Sequence, residues 1–307
     1  MKAVRYDTFG GPEVLKYEDA PRPSPRAGEL LVRVRAAGVN PVDAKVRAGA
    51  FGPGGQLPAI PGYDLAGVVE ETGPEVTRFK KGDAIFAYLN LRRGGAYAQY
   101  AIVREDEAAA KPRALSFEEA AAVPLAALTA WQALVEKAKL DAGQTVLIHG
   151  GSGGVGSFAV QIAKARGAKV FATASTRNQE TLKQLGVDQP IDYTTTKFEE
   201  VAKDVDVVLD TVAGETLARS YGVVKKGGIV VSILEPPKKE ELAKRGIRGE
   251  VFLARPSAEM LGEVGKLIEA GKIKPVVSQV LPIAEAAKAH QQIETGHTRG
   301  KIVLKVE

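Results

Sequence analysis

The most informative absence in this sequence is cysteine, which does not occur in its 307 residues. Without thiols the chain can form neither disulfides nor thiolate metal sites, and it has no cysteine nucleophile. Its apolar stretches also fall short of the roughly 18 residues that a membrane span requires. Met1 leads into a strand-like segment without a signal peptide. We therefore expect a soluble, cytoplasmic protein with no membrane partner.

Strong charge is also missing. The net charge is +5, and no block of basic residues alternates with aromatic ones, so nucleic acid is not an expected partner. With 45% hydrophobic residues, the chain is long enough for two domains, each with its own core.

The clearest positive signal lies in residues 145–163, T-V-L-I-H-G-G-S-G-G-V-G-S-F-A-V-Q-I-A. An apolar run that ends in glycines and resumes with helical spacing predicts a strand, a tight turn and a helix. Within the turn, Gly151, Gly153 and Gly156 form G-x-G-x-x-G. Such glycines let the backbone approach a pyrophosphate, and the helix N-terminus offers amides to the phosphates. The segment therefore predicts a dinucleotide site.

The same turn also matches the nucleophile elbow G-x-S-x-G of hydrolases. That alternative uses Gly150, Ser152, Gly154, Asp210 and then His290 or His297. A hydrolase sheet needs several strands before the elbow, whereas the preceding residues predict a separate β-rich domain. We therefore favour the nucleotide.

The remainder of the chain predicts an α/β protein with two domains. Before residue 105, alternating segments such as 29–37 predict strands, with Val32, Val34 and Ala36 facing inward and Arg33 and Arg35 facing outward. The glycine- and proline-rich segment 49–62 predicts a mobile loop, able to close over a ligand.

From residue 145 to residue 270, strand-like and helical segments alternate, as in a doubly wound parallel sheet. The tail, 272–307, predicts strand, helix and strand, and we expect it to rejoin the first domain. The expected domains are therefore 1–120 with 271–307, and 121–270.

Cofactor choice can be predicted from the residues about 20 positions beyond the glycines. NAD-preferring sites place an acid there to hold the ribose 2′-hydroxyl. This chain instead has Ser175, Thr176 and Arg177, with no acid until Glu180. Two hydroxyls and a guanidinium suit a 2′-phosphate, which favours NADPH.

Several separated segments also resemble a known family. They are G-V-N-P-V-D-A-K at 38–45, L-P-A-I-P-G-Y-D-L-A-G-V-V at 57–69, H-G-G-S-G-G-V-G at 149–156, I-D-Y-T at 191–194 and T-R-G-K-I-V-L at 298–304. Together they resemble the zinc-independent quinone oxidoreductase branch of the medium-chain dehydrogenase/reductase family, and within it the alkenal/enone oxidoreductases. The resemblance implies a β-rich GroES-like substrate domain, a Rossmann domain that binds NADPH and a possible homodimer.

Zinc-dependent members of that family carry Cys at the place of Asn40, His-Glu at Tyr63-Asp64 and a lobe of four cysteines near residues 90–100. This chain has none of these residues. Catalytic zinc requires three protein ligands, so we expect no metal.

The resemblance places Asn40, Lys45 and Tyr63 at the substrate and nicotinamide end of the site, as candidate catalytic residues. The cofactor contacts that it implies are Asn40, Lys45, Thr129, Gly151, Gly153, Gly154, Val155, Gly156, Ser175, Thr176, Arg177, Tyr193, Ile233, Phe252, Leu253, Arg299 and Gly300. Structural interpretations remain open: Asn40 as a turn cap, Lys45 as a solvated side chain and Tyr63 as a half-buried core tyrosine.

The histidines have structural interpretations as well. We expect His149 to be packed and hydrogen-bonded, and His290 and His297 to be partly exposed near a terminal helix.

These observations predict an NADPH-dependent oxidoreductase that reduces the C=C bond of enones or enals by hydride transfer without zinc. One alternative is an NADPH:quinone reductase. A third, of another class, is a non-catalytic NADPH-binding protein.

Overall fold

The computed structural model describes residues 1–50 and 57–306. Of the segment 49–62 that is predicted to be a mobile loop, residues 51–56 lie outside the described residues. The chain divides into two compact units. Unit 1 comprises Met1–Leu128, Arg255–Ala270 and Pro275–Glu307, and unit 2 comprises Thr129–Ala254 and Gly271–Lys274. In the described part of the chain, no helix is long and apolar enough to cross a membrane.

The first part of unit 1 is built mainly of strands. Its elements are β1 (Lys2–Arg5), β2 (Lys16–Asp19), β3 (Glu29–Val39), α1 (Pro41–Arg47), β4 (Asp64–Thr72), β5 (Ala84–Tyr88), β6 (Tyr100–Arg104), β7 (Ala108–Ala110), α2 (Phe117–Ala121) and α3 (Pro124–Trp131), the last of which continues into unit 2.

Unit 2 alternates strands and helices. Its elements are β8 (Thr145–Ile148), α4 (Gly154–Ala165), β9 (Lys169–Ala174), α5 (Gln179–Gln184), β10 (Gln189–Asp192), α6 (Phe198–Val201), β11 (Val205–Asp210), α7 (Gly214–Ser220), β12 (Val224–Ser232), α8 (Lys239–Arg245) and β13 (Arg248–Val251).

The chain then returns to unit 1. The returning elements are α9 (Ala258–Glu269), β14 (Val277–Pro282), α10 (Ala286–Glu294) and β15 (Lys301–Lys305).

A seven-stranded sheet forms the centre of unit 1, in the order β14-β15-β3-β4-β5-β7, with β6 also paired to β3. Its pairs are antiparallel except β14 with β15. The predicted alternation along β3 is confirmed, because Val32, Val34 and Ala36 are fully buried while Arg33 and Arg35 are only partly so. β15 lies antiparallel to β3, with Ile302 opposite Val39, so the tail completes the first sheet. This pairing brings residue 301 beside the end of β3.

Helix α9 also belongs to unit 1 and packs against β7. The sequence pattern instead predicts that these residues belong to the nucleotide domain, 121–270. A helix that follows the last strand of an alternating run has the same periodicity as a crossover helix, so the pattern alone does not distinguish the two.

Unit 2 contains a parallel six-stranded sheet in the order β10-β9-β8-β11-β12-β13. Numbered within the unit, this is the order 3-2-1-4-5-6 of the Rossmann fold, and the predicted fold class is confirmed. The order reverses between β8 and β11. Ligands of such sheets bind beyond the carboxyl ends of the strands at this switch point, which is where the glycine turn follows β8.

The glycine turn has little space for side chains. Gly150 has φ +70°, and α4 starts at Gly154. A Cβ added to Gly156 would lie 2.1 Å from the carbonyl oxygen of Gly150 and 2.8 Å from the Cα of Gly151. Both obstacles are backbone atoms, so the turn itself would have to shift. Glycine at 156 therefore lets the helix approach the turn closely.

Gly156→Ala should destabilise the protein, because the new methyl group overlaps backbone that cannot rotate away. Forcing an extra carbon into close-packed structure typically costs about 1–3 kcal/mol. We expect a lower free energy of unfolding in urea and a lower Tm by calorimetry.

Gly262→Ala is the matched control, since residue 262 is also helical, in α9, and an added Cβ would meet nothing within 4 Å. Alanine is the better helix former, so this change should leave stability equal or raise it by up to about 1 kcal/mol. Equal stability of Gly156→Ala and the wild type would contradict the close approach at the turn.

Candidate active site

Asn40 lies at the N-cap of α1 and is 1% exposed. Its backbone N–H donates to Asp43 Oδ2 at 2.7 Å, and the N–H of Asp43 donates to the Asn40 carbonyl at 3.0 Å. These reciprocal bonds start the helix and fix the Asn40 backbone. The interpretation of Asn40 as a cap is therefore correct, but it does not account for the side chain.

The Asn40 side chain is held by two charged groups. Its Nδ2 donates to Asp64 Oδ2 at 2.8 Å, and its Oδ1 accepts a short hydrogen bond from Lys301 Nζ. Lys301 Nζ also lies 3.5 Å from Asp64 Oδ2, and both residues are almost completely buried. The other oxygen of Asp64 accepts from the backbone N–H of Leu125 at 2.7 Å. Burial raises the pKa of Asp64 and lowers the pKa of Lys301, and the charge of each partner opposes the shift of the other, so the two charges stabilise each other inside unit 1.

Lys301 is not among the site residues predicted from the sequence, although the neighbouring Arg299 and Gly300 are. Arg299 is exposed and Gly300 is buried. The available signal was a lysine at the start of the apolar strand I-V-L, where a charged side chain needs a partner if it is buried.

A second buried network reaches Asp43 from α10. Arg47 donates to Nδ1 of His290 at 3.2 Å, and Arg47 also pairs with Glu294. Because arginine can only donate, Nδ1 of His290 accepts, so the proton of the neutral ring is on Nε2. That nitrogen lies 3.3 Å from the Tyr97 hydroxyl, which donates to Asp43 Oδ2 at 3.0 Å. Hydrogen bonds therefore connect Arg47 to Asp43 through His290 and Tyr97.

Burial explains the protonation of this network. It raises the pKa of Asp43 to about 7, against the lowering effects of the Asn40 N–H, Lys301 and Tyr97. Burial and then Arg47 lower the pKa of His290 to about 3, so this ring is neutral. The expectation that His290 is partly exposed is wrong, because it lies on the buried face of α10 and is 0% exposed. His297 is exposed, as expected.

The other two candidate catalytic residues differ in burial. Tyr63 precedes β4 and is 3% exposed, more buried than the half-buried tyrosine considered from sequence. Burial, followed by the charge of Asp43, raises the pKa of its hydroxyl. Lys45 lies in the last turn of α1 and is exposed.

This donor set does not fit a zinc ion. Among the described residues, no group of three or more His, Cys, Asp or Glu side chains could hold a metal. The Asp64 oxygens already accept from Leu125, Asn40 and Lys301, and the Asn40 oxygen already accepts from Lys301. The ammonium is thus the cation that these oxygens bind.

In unit 2, the residues fit a dinucleotide. The first amides of α4, at Gly154, Val155 and Gly156, begin a helix and have no intrahelical acceptors, and Gly153 is its N-cap. Such amides, with the positive end of the helix dipole, bind pyrophosphate. Side chains are absent from three of these four positions, which leaves room for a phosphate.

His149 supports this turn and is not exposed to a ligand. Its ring nitrogens lie 3.2 Å from Thr173 Oγ1 and 2.9 Å from Ser220 Oγ, and burial lowers its pKa to about 4. The expectation of a packed, hydrogen-bonded His149 is confirmed.

Ser175, Thr176 and Arg177 follow the carboxyl end of β9, where Ser175 is half-buried and the other two are exposed. The adjacent strand β10 ends at Asp192, which the sequence analysis missed. Hydrogen bonds from Thr176 and then Thr194 lower the pKa of Asp192, so an ionised acid lies beside the predicted phosphate site. Parallel pairing of β9 and β10, with Asp192 opposite Ala174, brings it there.

The remaining predicted cofactor contacts lie in unit 2. Tyr193 follows β10 and is 54% exposed, Ile233 and Phe252 are half-buried after β12 and β13, and Leu253 is 64% exposed. Thr129 is buried in α3. Their roles toward a cofactor stay predictions.

The hydrogen bonds disfavour the hydrolase alternative. Asp210 accepts from Ser232 Oγ and from the backbone N–H groups of Val212 and Ala213. The ring of His290 is bonded to Arg47 and Tyr97. Among the described hydrogen bonds, these two residues therefore do not form the Asp–His pair of a triad.

The buried Asp43 makes stability depend on pH. Its pKa is about 7 in the folded protein and 3.8 without the fold, so the folded state holds the proton more tightly. The resulting stabilisation is full below about pH 4 and is lost as the pH rises through 7. The Asp43→Asn variant mimics the protonated acid, so its stability should not fall as the pH rises through 7. In urea unfolding, its stability relative to wild type should rise between pH 5 and pH 8, on the order of 1 kcal/mol per pH unit.

The histidines have the opposite dependence, because their lowered pKa values reduce stability as the pH falls below about 6.5. They are present in both proteins, so the difference between wild type and Asp43→Asn isolates the carboxyl. Parallel stability curves for the two proteins across this range would show that Asp43 does not titrate as described.

Comparisons with known proteins agree with both units. A family model described as "Alcohol dehydrogenase GroES-like domain" matches residues 26–113, and one described as "Zinc-binding dehydrogenase" matches residues 185–304. The quinone oxidoreductase of Mus musculus is 35% identical over 324 residues, which cover 99% of this chain and 97% of the relative. The NADPH-dependent alkenal/one oxidoreductase of Arabidopsis thaliana, a chloroplastic protein, is 38% identical and covers 99% of this chain and 79% of its own length.

Solved structures give the same result. The quinone oxidoreductase from Coxiella burnetii superimposes with a TM-score of 0.92 at 36% identity, covering 100% of this chain and 99% of that one. The same assignment follows from the two family models, from relatives above 30% identity over nearly the whole chain and from the shared fold. The chain belongs to the medium-chain dehydrogenase/reductase family, as an oxidoreductase of the quinone and alkenal/one oxidoreductase type.

Proposed function

We propose that this protein is an NADPH-dependent reductase that acts on the C=C bond of small enones or enals without zinc. Members of its family bind a nicotinamide cofactor, and unit 2 carries the glycine turn for it. The observation that carries the choice of bond is the buried cluster around Asn40, which offers hydrogen-bond donors and, among the described residues, no metal-ligand set.

NADPH preference rests on the residues after β9. Arg177 and the Ser175 hydroxyl offer donors for a 2′-phosphate, and no carboxylate stands at that place on β9 itself. Asp192 acts against them, since it is ionised and lies beside Thr176. Arg177 therefore has to supply the charge that lets the phosphate bind beside this acid.

When bound, the nicotinamide supplies a hydride to the substrate. The protein's part is to stabilise the charge that develops on the substrate oxygen. Reduction of the carbonyl itself would need a Lewis acid or a strong proton donor at the alkoxide. Addition to the β-carbon demands less, because the charge is spread over an enolate that neutral donors such as the Asn40 amide can hold.

Tyr63 is suited to hydrogen bonding and not to proton transfer. Its raised pKa makes the hydroxyl a weaker acid than free tyrosine, so it stays protonated and can donate a hydrogen bond. We therefore assign protonation of the α-carbon to solvent. Lys45, exposed near the end of α1, is assigned to electrostatic support of the cofactor or substrate.

The alternative of quinone reduction is favoured by a specific observation, since the mouse and Coxiella relatives are named quinone oxidoreductases. Electron-poor quinones can use the same donors. The non-catalytic alternative would be supported by tight NADPH binding without turnover of any enone, enal or quinone. A homodimer formed through unit 2 strands stays a prediction, for which β10 and β13 are the sheet edges.

Arg177→Asp should lower kcat/KM for NADPH by roughly tenfold to a hundredfold, since a lost charge-assisted contact costs about 1.5–3 kcal/mol. The value for NADH should be nearly unchanged, because NADH has no 2′-phosphate. Initial rates with both cofactors at a fixed enone concentration measure this.

Lys183→Asp on α5 is the matched control, because it makes the same change in net charge at another exposed position of unit 2. It should alter neither cofactor's kcat/KM by more than about twofold. A wild-type enzyme that uses NADH as well as NADPH would refute the assignment of Ser175, Thr176 and Arg177.

Deuterium from NADPH labelled on the transferred position should appear on the β-carbon of an enone, giving a saturated ketone. This follows from the proposal that neutral donors such as the Asn40 amide hold the enolate oxygen. NMR of the product made from 3-buten-2-one locates the label. Label on the carbinol carbon of an allylic alcohol would overturn the proposed reaction.

The same assays separate the quinone alternative. Anaerobic stopped-flow rates with the enone and with 1,4-benzoquinone give relative kcat/KM values. A quinone value larger by about a hundredfold or more would make quinone reduction the better description.

A further inference from the structure

Lys301 is a buried cation next to a residue that the proposed reaction uses. It is the first residue of β15, is 3% exposed, and its backbone N–H donates to the carbonyl of Val276 at 2.8 Å. Pairing of β15 with β3 then directs its side chain to Asn40, which follows directly after β3.

The charges around Asn40 determine which way its amide points. A lysine ammonium can only donate and an ionised carboxylate can only accept, so the amide oxygen must face Lys301 and the amide nitrogen must face Asp64. Flipping the amide would put N–H against ammonium and oxygen against carboxylate. Lys301 and Asp64 therefore select one orientation from two.

This orientation leaves one donor for a ligand. The bond to Asp64 uses one of the two protons on Asn40 Nδ2, and the bond from Lys301 uses the oxygen. Neither of these bonds uses the second Nδ2 proton. A cation bonded to the oxygen of an amide also polarises it, which strengthens the N–H as a donor.

We propose that Lys301 is a positioning residue: it locks and polarises the Asn40 amide so that its second N–H stabilises the negative charge that develops on the substrate oxygen. This inference rests on the proposed function, in which Asn40 holds that oxygen. Because the charge is largest in the transition state, loss of Lys301 should lower kcat more than it raises the KM of the substrate.

Removing Lys301 alone would leave Asp64 buried without a counter-charge, and the protein would be strongly destabilised for that reason. Two double variants avoid this by removing both charges. The first is Lys301→Gln/Asp64→Asn, the glutamine pair, which still offers an N–H to Asn40 Oδ1. The second is Lys301→Met/Asp64→Asn, the methionine pair, which does not.

With saturating NADPH and 3-buten-2-one, kcat should fall about tenfold in the glutamine pair and about a hundredfold in the methionine pair, with KM changed less than about threefold. A purely structural ion pair predicts equal kcat values for the two. Lys266→Met, at an exposed lysine of α9, is the control and should retain wild-type kcat.

The decisive test repeats the glutamine pair in an Asn40→Ala background. If Lys301 acts through Asn40, the pair should cause no further loss of kcat there. Additive losses, or no loss from either pair, overturn the proposal. If the wild type is active and the Asn40→Ala variant has the same kcat, the roles proposed for Asn40 and Lys301 both fail. If the wild type turns over neither an enone nor a quinone, the proposed function fails.

A measurement independent of turnover tests the positioning itself. In protein labelled with ¹⁵N-asparagine, the Asn40 side-chain protons should exchange at least about tenfold faster in the methionine pair than in the glutamine pair, which carries the same change at Asp64. Equal exchange in both proteins would show that Lys301 does not hold the amide.

Discussion

The buried carboxylate of Asp64 is the constraint on which the rest of unit 1 depends. It lies at the start of β4 and accepts hydrogen bonds from Asn40 at the start of α1, from the backbone of Leu125 at the start of α3 and from Lys301 on β15. Each partner comes from a different part of the chain. A buried charge without them would cost several kcal/mol, so folding of unit 1 requires all of these segments in place.

Hydrogen bonds hold the polar side chains of the same region in fixed positions. The direction of each bond follows from which group can donate: Arg47 to His290, His290 to Tyr97, Tyr97 to Asp43, and the N–H of Asn40 to Asp43. Groups that are fixed before the substrate arrives need not reorganise as charge develops.

Unit 2 separates binding from selectivity. The proposed pyrophosphate site is made of backbone, since the glycine turn and the first amides of α4 present N–H groups and few side chains. In the proposed function, selectivity at the ribose depends on side chains at the ends of two neighbouring strands, with Arg177 after β9 and Asp192 at the end of β10. The proposed preference for NADPH over NADH therefore depends on whether the attraction of Arg177 for the 2′-phosphate exceeds the repulsion from Asp192.

The sequence by itself determined the features that local chemistry controls. The alternation of strands and helices after residue 145 was predicted, the glycine turn begins a helix as its pattern required, and the alternation along β3 identified its buried face. Asn40 and Tyr63 were selected through family motifs. The tertiary structure alone decided what these residues touch. Lys301 is 261 positions from Asn40, and Asp192 reaches Thr176 only through parallel strand pairing. His290 was misjudged because the burial of a helix face depends on what packs against it. A pattern of 2 or 3.6 residues records which side of an element is apolar, but not which distant segment supplies the partner for a buried charge.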